Sequence, residues 1–411
     1  MSDRWQTRHM DYYSSWPFFL CMALLLALSA TPFFNSIAAP TTAANGQRVP
    51  AIDGLRGFLA FGVFFGHAAQ YHEYMQSGRW IDAVPSGFYN LAAQGGVAVF
   101  FMITGYLFWG RAIDEGGKLH WAELYLGRVF RIGPLYLFAV ASMLAIVTVR
   151  TGFSFQSPPY DVFNEVTPWL ALGFLGNGPD INGYHQTWLI VAGVFWTLAF
   201  EWQFYLSLIF TSLAARSTKT HLAFFAAAFI SFAAFLPLRD NGLSQAAGTL
   251  CGALFAAGMV CASLERLGYN IRGPASAKSV VALALLASVF LTSDGAYAIA
   301  PIIGLSAAFY LIVSGADLFG LLTGVPARRL GDVSYGIYLL QGLILTTVFS
   351  FEATRTLALA SPAGHWAMML AGAFLLLAVS ALTHVWIERI GIDFGRLAIP
   401  FLLLKRSAGS L

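Results

Sequence analysis

The sequence predicts an all-α, polytopic transmembrane helix bundle, with about ten core helices and one extra N-terminal hydrophobic span. Three observations predict it. Of 411 residues, 58% are hydrophobic and 10% charged, against about 25% charged in an ordinary soluble domain. Mean hydropathy is +0.67, which means more apolar side chain than a water-facing globule of this length can bury. The apolar residues also fall into runs of about 20, the length that crosses a bilayer as a helix, with Lys and Arg in the short segments between them. No basic block is dense enough to suggest nucleic acid. Cys21, Cys251 and Cys261 form no Cys-x-x-Cys or Cys/His cluster, so neither a disulfide framework nor a metal site is indicated.

In chain order, spans are expected near residues 16–38, 55–72, 91–110, 132–150, 188–214, 221–238, 248–265, 279–293, 296–314, 331–351 and 365–387. The stretch Thr167 to Leu175 is too short to cross and is flanked by Pro168 and by Gly176, Asn177, Gly178 and Pro179, so it is expected to be re-entrant or interfacial. The organisation is then a tail with the extra span (1–47), a membrane domain (48–390) and a cytoplasmic C-terminal tail (391–411).

Positive loops are retained in the cytoplasm. With the segment before Asp53 on that side, alternate loops collect most of the Lys and Arg, from Arg48 and Arg56 to Lys405 and Arg406, while the opposite side receives only Arg79, Arg150, Arg239 and Arg355. This places the chain in the cytoplasmic (inner or plasma) membrane with its C-terminus inside. The first run fits less well, since crossing there puts Arg4 and Arg8 outside. A signal peptide ending in the small residues Ser36, Ala38 and Ala39 is the alternative, but cleavage would put Arg48 and Arg56 outside, and an uncleaved span is expected.

An ionisable side chain inside a span is costly and therefore a functional candidate. His67 follows Arg56 by eleven positions, which on a helix is within about 20° of full turns and a rise of roughly 16 Å. The two share a face, Arg56 at the cytoplasmic mouth and His67 near the midplane, as a narrow path for an anionic ligand would require. Glu201, about thirteen positions into the span starting near Trp188, is also expected at mid-depth and within reach of His67. A carboxylate on one imidazole nitrogen fixes the tautomer and raises the basicity of the other, which suits a general base; the same pair would serve equally to join two helices.

Arg128 and Arg131, three apart and followed by Ile132, Gly133 and Pro134, are expected at or just before a helix start, where free N–H groups and the helix dipole favour phosphate. They would serve equally as headgroup anchors. The small-residue stretch from Gly95 to Leu107 allows a helix or a chain-like ligand to approach the backbone, and packing alone would account for it. The remaining histidines fall in loops, at span ends or on other faces, and none is assigned to metal.

Taken together, these segments resemble the acyltransferase 3 family of integral membrane O-acyltransferases. Ile52-Asp53-Gly54-Leu55-Arg56-Gly57 with His67 looks like the family's Arg and His signature. Gly96 to Leu107, with Thr104 and Gly105, is similar to its second-helix pattern. Arg128 and Arg131, with Pro134 and Tyr136, fall on its Arg-x-x-Arg element. Trp196 to Tyr205 resembles its Trp, Glu and Tyr segment, and Gly331 to Leu339, with Ser334, Tyr335 and Tyr338, its late Ser-Tyr-x-x-Tyr-Leu segment. The likeness covers about residues 48–390. Thr104 stands where Ser is usual, and Gln341 stands near a position often held by His.

The resemblance implies transfer of an acyl group, usually acetyl from acetyl-CoA, to a hydroxyl of a glycan or lipid-linked saccharide. It implies acyl-CoA as co-substrate with no tightly bound cofactor, Arg56, Arg128 and Arg131 as donor-binding residues, and His67 and Glu201 as the catalytic pair. Asp53, Gly96, Thr104, Gly105, Trp196, Tyr205, Ser334, Tyr335 and Tyr338 would shape the site. The rival from a different class is a proton-coupled transporter or flippase of a lipid-linked sugar or small anion, with His67 and Glu201 as the relay.

Overall fold

The computed structural model describes residues 12–37, 49–216, 220–235 and 242–408. These form a bundle of α-helices in which the one strand-like pairing is the isolated bridge Ile181–Tyr184. Arg4, Arg8, Arg48, Lys219, Arg239, Ala38 and Ala39 lie outside the described residues.

The first apolar run is two helices, α1 (Trp16–Ala30) and α2 (Pro32–Ile37), rather than one rod. Thr31 is extended, as the residue before a proline prefers to be. Helix α3 (Pro50–Ser77) starts with Pro50 in its first turn and stops at Gly78, whose φ of 69° is the left-handed conformation that ends helices. Helices α4 (Gly87–Asp114) and α5 (Trp121–Arg150) follow. The short α6 (Pro159–Val166) leads into a 3₁₀ turn (Thr167–Leu170) that opens the segment expected not to cross.

The span expected over 188–214 is broken. Thr187–Val191 forms a 3₁₀ turn, Ala192 and Gly193 have positive φ, and α7 begins only at Trp196, running to Thr211. Glu201 is therefore in the second turn of its helix, and the continuous helical count from Trp188 is corrected accordingly. Helices α8 (Thr220–Phe235), α9 (Gly242–Arg266), α10 (Ala275–Thr292) and α11 (Ile299–Val313) lie where spans are expected. The run at 331–351 divides into α12 (Val325–Asp332) and α13 (Ser334–Val348), followed by α14 (Glu352–Ala360). The last span is α15 (Pro362–Thr383), which passes through one π-helical turn, His384–Glu388, into α16 (Arg389–Ala408). Residues expected as a C-terminal tail thus continue the helix.

Among the described residues, six helices are long and apolar enough to cross a membrane, or seven if α13 and α14, bent by 96°, count as one span. Leu291 and Leu397 are 85% and 79% exposed; outward apolar side chains of this kind suit contact with lipid tails.

Helix α4 packs against α3 on one side and α9 on another. Small residues make these approaches possible: a Cβ at Gly105 would collide with the Phe255 carbonyl, one at Gly258 with the Met102 carbonyl, and one at Gly96 with Val63 and Leu59. Helix α3 buries Phe61, Phe64 and Phe65 in the core and also contacts α12 and α13. It is the central rod on which the site is arranged.

Candidate active site

A cavity of about 440 Å³ opens among α3, α4, α5, α7 and α13. It gathers most of the residues singled out from sequence: Asp53 and Arg56 on α3, Thr104 on α4, Arg128 and Arg131 on α5, Glu201 and Tyr205 on α7, and Ser334, Tyr335 and Tyr338 on α13. Gly96, Gly105 and Trp196 do not line it. The two glycines act through helix packing, and Trp196 packs on Phe101 and Phe200 with ring centroids 6.3 and 5.7 Å apart.

The cavity is cationic but balanced. Arg56, Arg111, Arg128 and Arg131 face Asp53, Glu201 and Asp332. Arg111 pairs with Glu115 at 2.6 Å, whereas no ion pair of Arg56, Arg128 or Arg131 occurs among the described residues within 4.0 Å. The Arg128 guanidinium sits 4.8 Å from the Phe108 ring centroid and 5.9 Å from that of Tyr205. Aromatic faces thus hold it in place while leaving its N–H fork available. Tyr205 donates to Glu201 Oε2 at 3.0 Å, one helical turn away. Because α5 begins at Trp121, Arg128 and Arg131 lie well inside it, not at a helix start. The expectation of help from free N–H groups at that terminus is therefore corrected; the anion-binding capacity of the pair rests on the guanidinium groups.

His67 is not on the cavity wall and does not meet Glu201. Its Nδ1 lies 3.1 Å from Gln341 Oε1 on α13. Gln341 is fully buried, and its Nε2 donates to the Tyr338 carbonyl at 2.8 Å. That bond requires the amide N–H₂ on the Tyr338 side, so Oε1 accepts and His67 Nδ1 carries the hydrogen. His67 Nε2 is then left with its lone pair, the form a base or nucleophile needs. The role assigned to Glu201 from sequence, fixing the tautomer, is filled by a neutral amide.

Gln341 also links the histidine to the cavity. Ser334, Tyr335, Tyr338 and Gln341 recur at helical spacing on one face of α13; the first three line the cavity and the fourth touches His67. The Tyr338 hydroxyl meets Thr197 Oγ1 at 2.9 Å, and its ring packs on Phe100 at 5.9 Å. The His67 ring also packs near Trp80, with ring centroids 6.3 Å apart.

Sequence reasoning missed Gln341 as the partner, although it had marked that position as a departure from the resembled pattern. It also missed Phe108, Asp332 and His384 on the cavity wall. His384 sits in the π-helical turn with Nδ1 3.4 Å from Glu388 Oε2, both side chains buried. Such turns often mark functional sites, but a five-residue excursion within an apolar helix leaves no periodic signal. Among the described residues no group of three or more His, Cys, Asp or Glu could hold a metal ion.

The chain is similar to known proteins. A family model described as an acyltransferase domain matches residues 49–385. The acyltransferase MdmB of Streptomyces mycarofaciens is 26% identical over 334 residues, covering 72% of this chain and 79% of its own. A protein of Komagataeibacter xylinus, provisionally named as the membrane-bound transacylase BcsY, is 27% identical over 373 residues, covering 88% and 87%. No solved structure matches significantly.

Proposed function

The chain belongs to the acyltransferase 3 family of integral membrane O-acyltransferases, and on that premise we propose that it moves an acyl group, acetyl in the simplest case, from acyl-CoA to a hydroxyl of a glycan or lipid-linked saccharide. The observation that carries the donor assignment is the cavity holding Arg56, Arg128 and Arg131 without ion pairs among the described residues. Guanidinium groups with open N–H forks suit phosphates, and acyl-CoA is a polyphosphate with a long flexible arm. We assign this cavity to the cytoplasmic face, in keeping with the distribution of positive loops.

With the phosphates among the arginines, the arm follows α3 from Arg56 toward His67, a rise of roughly 16 Å. Two routes fit the tautomer set by Gln341. In one, Nε2 takes the hydroxyl proton as the acceptor oxygen attacks the thioester carbon; the C–S bond breaks and CoA leaves as thiolate. In the other, Nε2 itself attacks, CoA thiolate leaves, and the acyl-imidazole passes the acyl group to the hydroxyl, whose proton is released. Rapid quench after adding donor without acceptor separates them: a covalent acyl-His67 supports the second route, and its absence supports the first.

The test of the activity is release of free CoA from acetyl-CoA by the purified protein in lipid, stimulated by a saccharide acceptor. A transporter would respond to a proton gradient and need no acyl-CoA. That rival needs His67 and Glu201 as one relay, and their separate partners, Gln341 and Tyr205, do not favour it.

A further inference from the structure

A second cavity, of about 300 Å³, lies at the other end of α3, beginning one turn beyond His67 at Tyr71. Its walls combine aromatic rings with two cations and no carboxylate: Tyr71, Tyr74 and Tyr184 beside Arg150 and Arg355. The arginines come from the end of α5 and from α14, some 200 positions apart. Both belong to the small set of basic residues that the charge distribution leaves on the side opposite the arginine-rich loops, where positive charge is disfavoured. Neither has an ion pair within 4.0 Å among the described residues. Arg150 is instead aimed by a hydroxyl: its Nη2 donates to Ser350 Oγ at 2.6 Å, and Ser350 in turn donates to the Thr346 carbonyl.

The wall carrying Tyr184 is built in advance. Asn182 accepts from the Gln156 N–H, donates to Thr151 Oγ1 and to the Ser154 carbonyl, and its own N–H donates to Glu165. Thr187 N–H donates to Asp180 Oδ1, and Thr187 Oγ1 donates to the Tyr184 carbonyl. Asp180 also stands 3.7 Å from the exposed His185 at the rim. Toward His67 the cavity is bounded by an aromatic group in which Trp80 contacts His67, Tyr71 and Trp188, with centroids 6.3, 5.4 and 5.8 Å apart. Rings of this kind stack on sugar faces, and unpaired guanidinium groups hold carboxylate or phosphate oxygens.

We propose that this cavity is the acceptor site and that it selects a saccharide bearing an anionic group, held by Arg150 and Arg355 while its hydroxyl is presented to His67. This rests on the acyltransferase reading above. The shared chemistry is an anionic oxygen, which a sugar carboxylate or the phosphate of a lipid-linked sugar would supply.

The experiment is calorimetric binding to the purified full chain in lipid nanodiscs with three probes: hexagalacturonate, maltohexaose and a polyprenyl-phosphate-linked glucose. We expect at least one anionic probe to bind about tenfold or more tightly than maltohexaose, and that margin to fall to near unity in Arg150→Gln/Arg355→Gln. Arg150→Lys/Arg355→Lys should keep part of it. Preference for hexagalacturonate alone identifies a sugar carboxylate as the recognised group, and preference for the lipid-linked sugar alone identifies phosphate. Equal binding of all three probes, no binding of either anionic probe, or an anionic preference that survives the double Gln variant overturns the proposal. Failure of the acyltransferase reading looks different: an Arg-dependent preference persists, yet no acceptor releases CoA from acetyl-CoA.

Discussion

Gln341 Oε1 accepts from His67 Nδ1 at 3.1 Å, joining α13 to α3. The bond ties the tautomer of the proposed catalytic imidazole to the helix whose earlier turns line the arginine-bearing cavity. Replacing Gln341 with Leu should lower kcat about 10- to 100-fold with little change in the KM for acetyl-CoA, because tautomer and ring orientation are lost while the arginines stay in place. Steady-state CoA release at varied donor concentration checks this. An unchanged kcat would remove the positioning role.

Arg131→Ala should act in the opposite manner, raising the donor KM about 10-fold or more while kcat at saturation changes little. On the proposed assignment, in which charge holds the donor phosphates, wild-type donor binding should weaken as salt is raised. An unchanged donor KM in this variant would contradict the cavity assignment.

Glu201 tests how the two parts of the site divide. Its carboxylate is engaged by Tyr205, in the arginine cavity, and His67 has its own amide partner. Glu201→Gln should therefore shift donor KM, by altering the charge facing the arginines, and leave the acid limb of the kcat–pH profile where it is. A displaced acid limb would place Glu201 in the proton path of His67 after all.

Gly105→Val probes the scaffold. The added Cβ would collide with the Phe255 carbonyl, a backbone atom that cannot swing aside. Overpacking of this kind costs about 1–3 kcal/mol or more. The variant should show a lowered thermal midpoint in detergent and reduced yield of folded protein, whereas Gly127→Ala, which meets nothing within 4 Å, should be neutral or slightly stabilising.

Much of this was legible in the sequence. Runs of apolar residues located the helices, and motif residues as distant as Arg56, Arg128, Glu201 and Tyr338 do line one cavity. The errors were in the places where periodicity carries no signal. The residues before Trp196 are as apolar as a span but adopt 3₁₀ and left-handed turns at Gln186, Ala192 and Gly193, so the helix that carries Glu201 does not start near Trp188. The stretch Trp121–Gly127 precedes the span expected from residue 132, yet it forms the first turns of α5 and carries Arg128 and Arg131 into a helix interior. Gln341 was invisible as a partner because an amide among leucines shows no chemistry until a facing histidine is placed beside it.

The most direct test is mass spectrometry of surface glycans from cells producing wild type or His67→Ala at matched membrane levels. The account predicts an acyl mass increment with wild type and none with His67→Ala. An equal increment in both would contradict the central role of His67.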